Sequence, residues 1–200
     1  MTDKSEIKDF WEKRTEDFKE KAPVHIGKSS LYNKLMTRAH RKELRKAFES
    51  CKPEIVLEIG VGQGRLLSKI ENAQAIGIDL SKNMLKNFKK KSSPKVELIQ
   101  AEATHLPFKS DCFGLVYTCT VLLHIPDNSI GDAISEIKRV ARDNIFIVEQ
   151  LPNFKHIDIS YSKGGYCFPH KYFELFQLKA TYRKQLKNYG HEAILFTKNP

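Results

Sequence analysis

Between residues 54 and 150 the chain alternates short β-branched apolar runs with helix-spaced segments, and this alternation limits the fold more than any other feature. The runs are EIVLEI (54–59), AQAIGID (73–79), KVELIQ (95–100), FGLVYTC (113–119) and NIFIVEQ (144–150). Each has strand length and the β-branched or aromatic content that fits a pleated, buried surface. A helix through Leu66, Leu67 and Ile70 is expected after the first run. A second is expected over SKNMLKNFKKK, with Ser81 as its N-cap, and a third over IGDAISEIKRVAR. Strands separated in this way pair in parallel through right-handed crossovers. The expectation is a doubly wound, Rossmann-like α/β sheet with helices on both faces.

Two helices are expected ahead of this core, over residues 5–20 and 29–50. The second carries Leu31, Leu35, Ala39, Leu44 and Phe48 at near-helical spacing. After Gln150 the alternation breaks. Residues 151–169 are rich in Gly, Pro, Tyr and His and read as an irregular segment, followed by a short helix over HKYFELFQ. Two extended stretches about Asn188-Tyr189-Gly190 then form a hairpin, which adds an antiparallel strand to the parallel sheet.

The bulk properties set the class. A chain of 200 residues suits one domain with a real core. No apolar run approaches the roughly 20 residues that span a bilayer, and MTDKSEIKDFWEKRTEDFKEK lacks the apolar centre of a signal peptide. A cytoplasmic protein without a membrane partner is expected. Cys51, Cys112, Cys119 and Cys167 are scattered, with no metal-ligand spacing, so four free thiols and no metal are expected. The net charge is +10, and residues 82–95 carry six lysines and no acid. Such a stretch suits an RNA-facing surface and equally a solvated helix face; it decides between neither.

Three glycines, Gly60, Gly62 and Gly64, occupy alternate positions directly after the first strand, behind Glu58. A glycine turn between a first strand and the next segment is where a nucleotide-like ligand binds, although such turns also serve strand–helix packing. The dinucleotide fingerprint GxGxxG fails, because its last position would fall on Arg65 or Leu67. Asp79 ends the second strand. A carboxylate there can accept both hydroxyls of a ribose, or it can cap the following helix.

The stretches VLEIGVGQGRLL, AIGIDLSKNML, AEATHLPFKSDCFGLVYTCTVLLHI and AISEIKRVAR together resemble the class I S-adenosylmethionine-dependent methyltransferases, in particular the small single-domain group called type 11. The resemblance covers roughly residues 54 to 150, with the motifs in order. It implies a seven-stranded mixed sheet, mostly parallel, whose C-terminal hairpin supplies a reversed strand. It also implies one domain, with 1–50 as a helical lid, 54–150 as the cofactor core and 151–200 as the substrate-side segment and hairpin. S-adenosylmethionine is the implied cofactor and S-adenosylhomocysteine the product. Gly60, Gly62 and Gly64 would line the methionine and ribose part, with Glu58 contacting the amino group. Asp79 would hold the ribose, Leu80 pack on the adenine, Glu102 receive the adenine amino group and the Ala103 N–H reach the ring. Thr118 would face the methionine end. Met84 fits a family pattern but also a core position. Glu102 and Ala101 depart from the more usual aspartate and glycine.

Methyl transfer from a sulfonium is an in-line displacement in which alignment supplies much of the rate, so a base is required only when the nucleophile arrives protonated. His124, just beyond the fourth strand, is the candidate base; a structural histidine is the competing reading. Glu149, Gln150, Tyr161, Tyr166 and His170 are candidate substrate residues. The N-terminal helices offer Trp11, Phe18, His25 and Tyr32, with Lys28, Arg38 and Arg41, as lid residues. TCTV is not the Asn/Asp-Pro-Pro-aromatic motif of exocyclic amine methylation, and Cys119 lacks the proline of the cytosine carbon-5 enzymes. The expected function is methyl transfer to an oxygen or nitrogen of a small molecule. RNA, tRNA or protein methylation, and a non-catalytic cofactor-binding subunit, are the alternatives. The oligomeric state stays open between monomer and homodimer.

Overall fold

A computed structural model describes residues 4–18, 28–90, 96–152, 167–168 and 170–198. Its centre is a seven-stranded sheet of β1 (Ile55–Ile59), β2 (Gln74–Asp79), β3 (Val96–Gln100), β4 (Phe113–Cys119), β5 (Ala141–Gln150), β6 (Lys179–Leu186) and β7 (His191–Thr197). The strand order is β3-β2-β1-β4-β5-β7-β6. β1 to β5 pair in parallel, whereas β7 runs antiparallel to both β5 and β6. The hairpin expected about Asn188-Tyr189-Gly190 is present, with Gly190 at φ 66° closing a 3-10 turn.

The pleat of the strands sorts the core into two layers. Leu57, Ile59, Val116, Ile145 and Ile147 face one side with α4 (Ile130–Val140) and α5 (Tyr172–Phe176). Val56, Leu115, Tyr117, Phe146 and Val148 face the other, against α2 (Ser30–Cys51) and α3 (Lys82–Lys89). β4 is central, and all seven of its residues are buried. The helix ends follow local chemistry. Ser29 accepts from the Tyr32 N–H and Ser81 from the Met84 N–H, both at 3.1 Å. α1 (Lys4–Phe18) carries Ile7, Trp11 and Arg14 at helical spacing on one face.

Two local expectations are corrected. No α-helix follows the glycine loop; the chain makes a three-residue 3-10 turn at Leu67–Lys69. The five-residue strand β1 is about 17 Å long, and the crossover must return that distance. Wound entirely as α-helix, Arg65 to Ala73 would rise only about 14 Å, leaving nothing for the turn into β2. The helix over residues 130–142 stops at Val140, because β5 begins at Ala141 and a bulge between Phe113 and Leu115 absorbs the offset in register.

Candidate functional site

The order of strand connection reverses between β1 and β4, where open α/β sheets leave a crevice beyond the carboxyl ends of the strands. A cavity of about 250 Å³ lies there. Gly60, Gly62 and Gly64 have φ of 70°, 53° and 74°. The loop is tied down by the Val61 N–H, which donates to Ile78 O at 2.9 Å. The glycines differ in surroundings. A Cβ on Gly64 would fall 2.1 Å from the Phe88 ring, whereas one on Gly62 would meet nothing within 4 Å. Gly60 and Gly62 line the cavity, and Gly64 serves the packing of loop on helix.

Asp79 joins the loop to the next turn. Its Oδ2 accepts from the Gly62 N–H at 2.7 Å and its Oδ1 from the Ser81 N–H at 2.9 Å. Each oxygen keeps further accepting capacity. Burial pushes this carboxyl up to about 6, against the pull of those two N–H groups. Glu58, 3% exposed, accepts at Oε2 from the Leu67 N–H and from the Tyr117 hydroxyl, each at 2.9 Å. Burial pushes it up to about 8, opposed by the Tyr117 hydroxyl and the charge of Arg65. Leu80, Glu102 and Ala103 complete the wall beyond Asp79, and the exposed Glu102 accepts from Thr104 Oγ1 at 3.2 Å.

His124 also lines the cavity, on the 3-10 turn Leu122–His124. Trp11 of α1 meets it edge-on at 4.7 Å, and Ile7 and Arg14 join the same wall. α1 is fastened above the cavity by Glu12, which accepts from Ser81 Oγ, the Lys82 N–H and the Asn83 N–H at 2.8–3.0 Å. One helix thus touches both the turn after Asp79 and His124.

The structure brings Glu58, Gly60, Gly62, Asp79, Leu80, Glu102, Ala103 and His124 to one cavity, with Met84 also on its wall. Thr118 and Glu149 lie behind the wall on the α4 and α5 side. Thr118 donates to Glu149 Oε1 at 2.9 Å, and the same oxygen accepts from the Val121 N–H at 3.1 Å. From that stretch Cys119, Thr120 and Val121 line the cavity instead. Burial raises the Glu149 carboxyl to about 7. His170 is buried away from the cavity, 2.9 Å from Ile125 O. Tyr161, Tyr166 and His25 lie outside the described residues. Sequence reasoning missed Arg65, Arg14 and Glu12. For Arg65 a signal was present, since a cation directly follows the third glycine. Glu12 is one of many acids in a charged helix and had none.

The donor set fits a nucleoside carrying a cationic amino-acid tail. Gly62 presents bare backbone beside open space, and two carboxyls with raised pKa values, the buried Glu58 and the half-buried Asp79, stand where a cation would relieve them. Residues 56–144 match the family model described as a methyltransferase domain. The uncharacterized protein MJ0638 of Methanocaldococcus jannaschii is 32% identical over 141 residues, 69% of this chain and 57% of that protein. The malonyl-[acyl-carrier protein] O-methyltransferase of Legionella pneumophila is 27% identical over 176 residues, 82% of this chain and 57% of that enzyme. The chain therefore spans little more than half the length of these relatives. Magnesium protoporphyrin IX methyltransferase from Synechocystis, solved with bound SAH, superposes with a TM-score of 0.73 at 15% identity, over 98% of this chain and 100% of that one.

Proposed function

The chain belongs to the class I S-adenosylmethionine-dependent methyltransferases, and from that premise we propose that it methylates an oxygen or nitrogen of a small-molecule acceptor. The observation that carries this reading is the placement of α1. Ile7, Trp11 and Arg14 bring a helix onto the wall of the cavity, with Trp11 against His124, and a helical cover of this kind excludes water from the reacting atoms and limits the acceptor to a small one. The Legionella relative, by its name an O-methyltransferase, supports an oxygen acceptor.

In this reading Asp79 holds the ribose hydroxyls, Leu80 covers the adenine, and Glu102 with the Ala103 N–H takes the adenine edge. Glu58 meets the amino group, whose charge favours the ionised carboxylate. When bound, S-adenosylmethionine supplies a methyl carbon already activated by its sulfonium. The chain's part is then alignment, together with removal of a proton from an acceptor hydroxyl or ammonium. His124 is the base, set by its turn and by the edge-on contact with Trp11. Glu149 supports it indirectly, by accepting from the N–H that opens the turn. Within residues 1–50, α1 acts as the lid while α2 backs the sheet; 54–150 act as the cofactor core, and 151–200 complete the acceptor side and the sheet. The protein works in the cytoplasm; among the described residues no helix is long and apolar enough to cross a membrane.

Radiolabelled methyl transfer into a fractionated cell extract tests the acceptor class. Label in the low-mass fraction is expected. Label in RNA, through the exposed Lys82, Lys86, Lys89 and Lys90, or in protein overturns the small-molecule assignment. With the labelled acceptor, His124→Asn should lower turnover by roughly 100-fold or more while S-adenosylhomocysteine binds unchanged. An unaltered rate removes the base role.

A further inference from the structure

The cavity wall holds a fixed cation that these roles leave unused. Arg65 lines the cavity, half-buried, and no described carboxylate forms an ion pair with it. Its two terminal nitrogens are held by neutral groups. Nη1 donates to His40 Nδ1 and Nη2 to Cys119 Sγ, both at 3.0 Å. Arginine can only donate, so His40 Nδ1 is the acceptor and the ring carries its proton on Nε2. That Nε2–H then donates to Nδ1 of His191 at 2.9 Å. His40 is 0% and His191 4% exposed. Burial, with the charges of Arg65 and His191 adding to it, holds His40 well below the usual imidazole range, which keeps it a neutral acceptor. Burial likewise pushes Cys119 up to about 11, so it remains a thiol. Arg41 fixes the main chain of the same residue, donating from Nε and Nη2 to Arg65 O at 3.0 and 2.6 Å.

A guanidinium tied down by a carboxylate would be quenched. One tied down by an imidazole and a thiol is oriented and keeps its charge for an incoming anion. With Nη1 and Nη2 each giving one N–H to these partners, the Nε–H and the second Nη2 N–H present a side-on fork that matches a carboxylate. The cavity's own acids are placed to suit: Asp79 and Glu102 stand at the nucleoside wall, and Glu58 is near enough for the Arg65 charge to act on it. A negative and a positive group side by side match the ammonium and carboxylate of an α-amino acid.

We propose that His40, seated on the buried His191, is a positioning residue that aims Arg65 at the carboxylate of the cofactor's amino-acid end. This rests on reading the cavity as an S-adenosylmethionine site. The test compares S-adenosylhomocysteine with 5′-methylthioadenosine, which has the nucleoside but no amino-acid end, by calorimetric titration of the full chain. The wild type should favour S-adenosylhomocysteine at least tenfold, and Arg65→Gln should lower that preference by roughly 10-fold or more with 5′-methylthioadenosine binding within twofold of wild type. His40→Leu should lose the preference as well, and His40→Asn, which keeps an acceptor near the Nδ1 position, should recover most of it. His191→Phe keeps a ring but no acceptor and should lose part of it, giving an independent reading if His40→Leu does not fold. Failure of the wild type to bind either ligand sinks the cavity assignment itself. Binding of both with the preference intact in Arg65→Gln overturns the carboxylate role. A preference lost in Arg65→Gln but intact in His40→Leu and His191→Phe overturns the positioning role.

Discussion

Two of the loop glycines should respond to the same substitution differently, one chiefly in stability and the other chiefly in binding. Gly64→Ala places a methyl 2.1–2.4 Å from three atoms of the Phe88 ring, at φ 74°. Phe88 is 1% exposed and packed in the α2–α3 layer, so it cannot retreat without disturbing that core. A left-handed backbone costs a Cβ-bearing residue about 1–2 kcal/mol, and overpacking a core costs about 1–3 kcal/mol. Together these come to about 2–5 kcal/mol, or a fall in Tm of roughly 5–15 °C for a domain of this size. Gly62→Ala, with φ 53° and nothing within 4 Å of the added carbon, incurs only the backbone cost, roughly 2–6 °C. Its methyl stands in open space at the cavity wall, so S-adenosylhomocysteine should bind at least tenfold more weakly. Thermal unfolding and calorimetric titration of both variants separate the effects. Gly62→Ala losing as much Tm as Gly64→Ala, or binding S-adenosylhomocysteine like the wild type, would overturn this division between the two glycines.

Glu58, whose buried carboxyl is raised to about 8, binds its proton more tightly folded than unfolded. Its contribution to stability is therefore full below the ordinary glutamate pKa and is lost as pH rises towards about 8. Glu58→Gln should gain Tm relative to wild type progressively between pH 5 and 8, and a constant difference would contradict the assignment. Glu12→Ala removes the cap that fastens α1 to the start of α3. It should cost about 1 kcal/mol and speed S-adenosylhomocysteine dissociation several-fold in a stopped-flow displacement; an unchanged rate would mean that α1 is no lid.

The sheet was legible because its signal is local. Five apolar runs carry their own β-branched residues, and Ser81 caps α3 as its position implies. Glu58, Gly60, Gly62 and Asp79 were legible as cavity residues because strand ends and the switch point put them there whatever the side-chain detail. The missing helix after Gly64 was not, since it depends on the distance the crossover must return rather than on the pattern of Leu66, Leu67 and Ile70. Thr118 shows the limit of positional transfer: the pleat turns it towards Glu149, so that Cys119 and Thr120 reach the cavity. The pairing of His40 with His191 joins residues 151 positions apart, and only the reversed β7 brings them together.

The glycine loop and Asp79 are proposed as the S-adenosylmethionine site. Calorimetric titration of S-adenosylhomocysteine into the wild type and Asp79→Ala tests this claim most directly. Saturable 1:1 binding to the wild type is predicted, weakened at least tenfold in Asp79→Ala by loss of charge-assisted hydrogen bonds worth about 1.5–3 kcal/mol each. No binding to the wild type would contradict the claim outright, and equal affinity in the two proteins would contradict the role of Asp79.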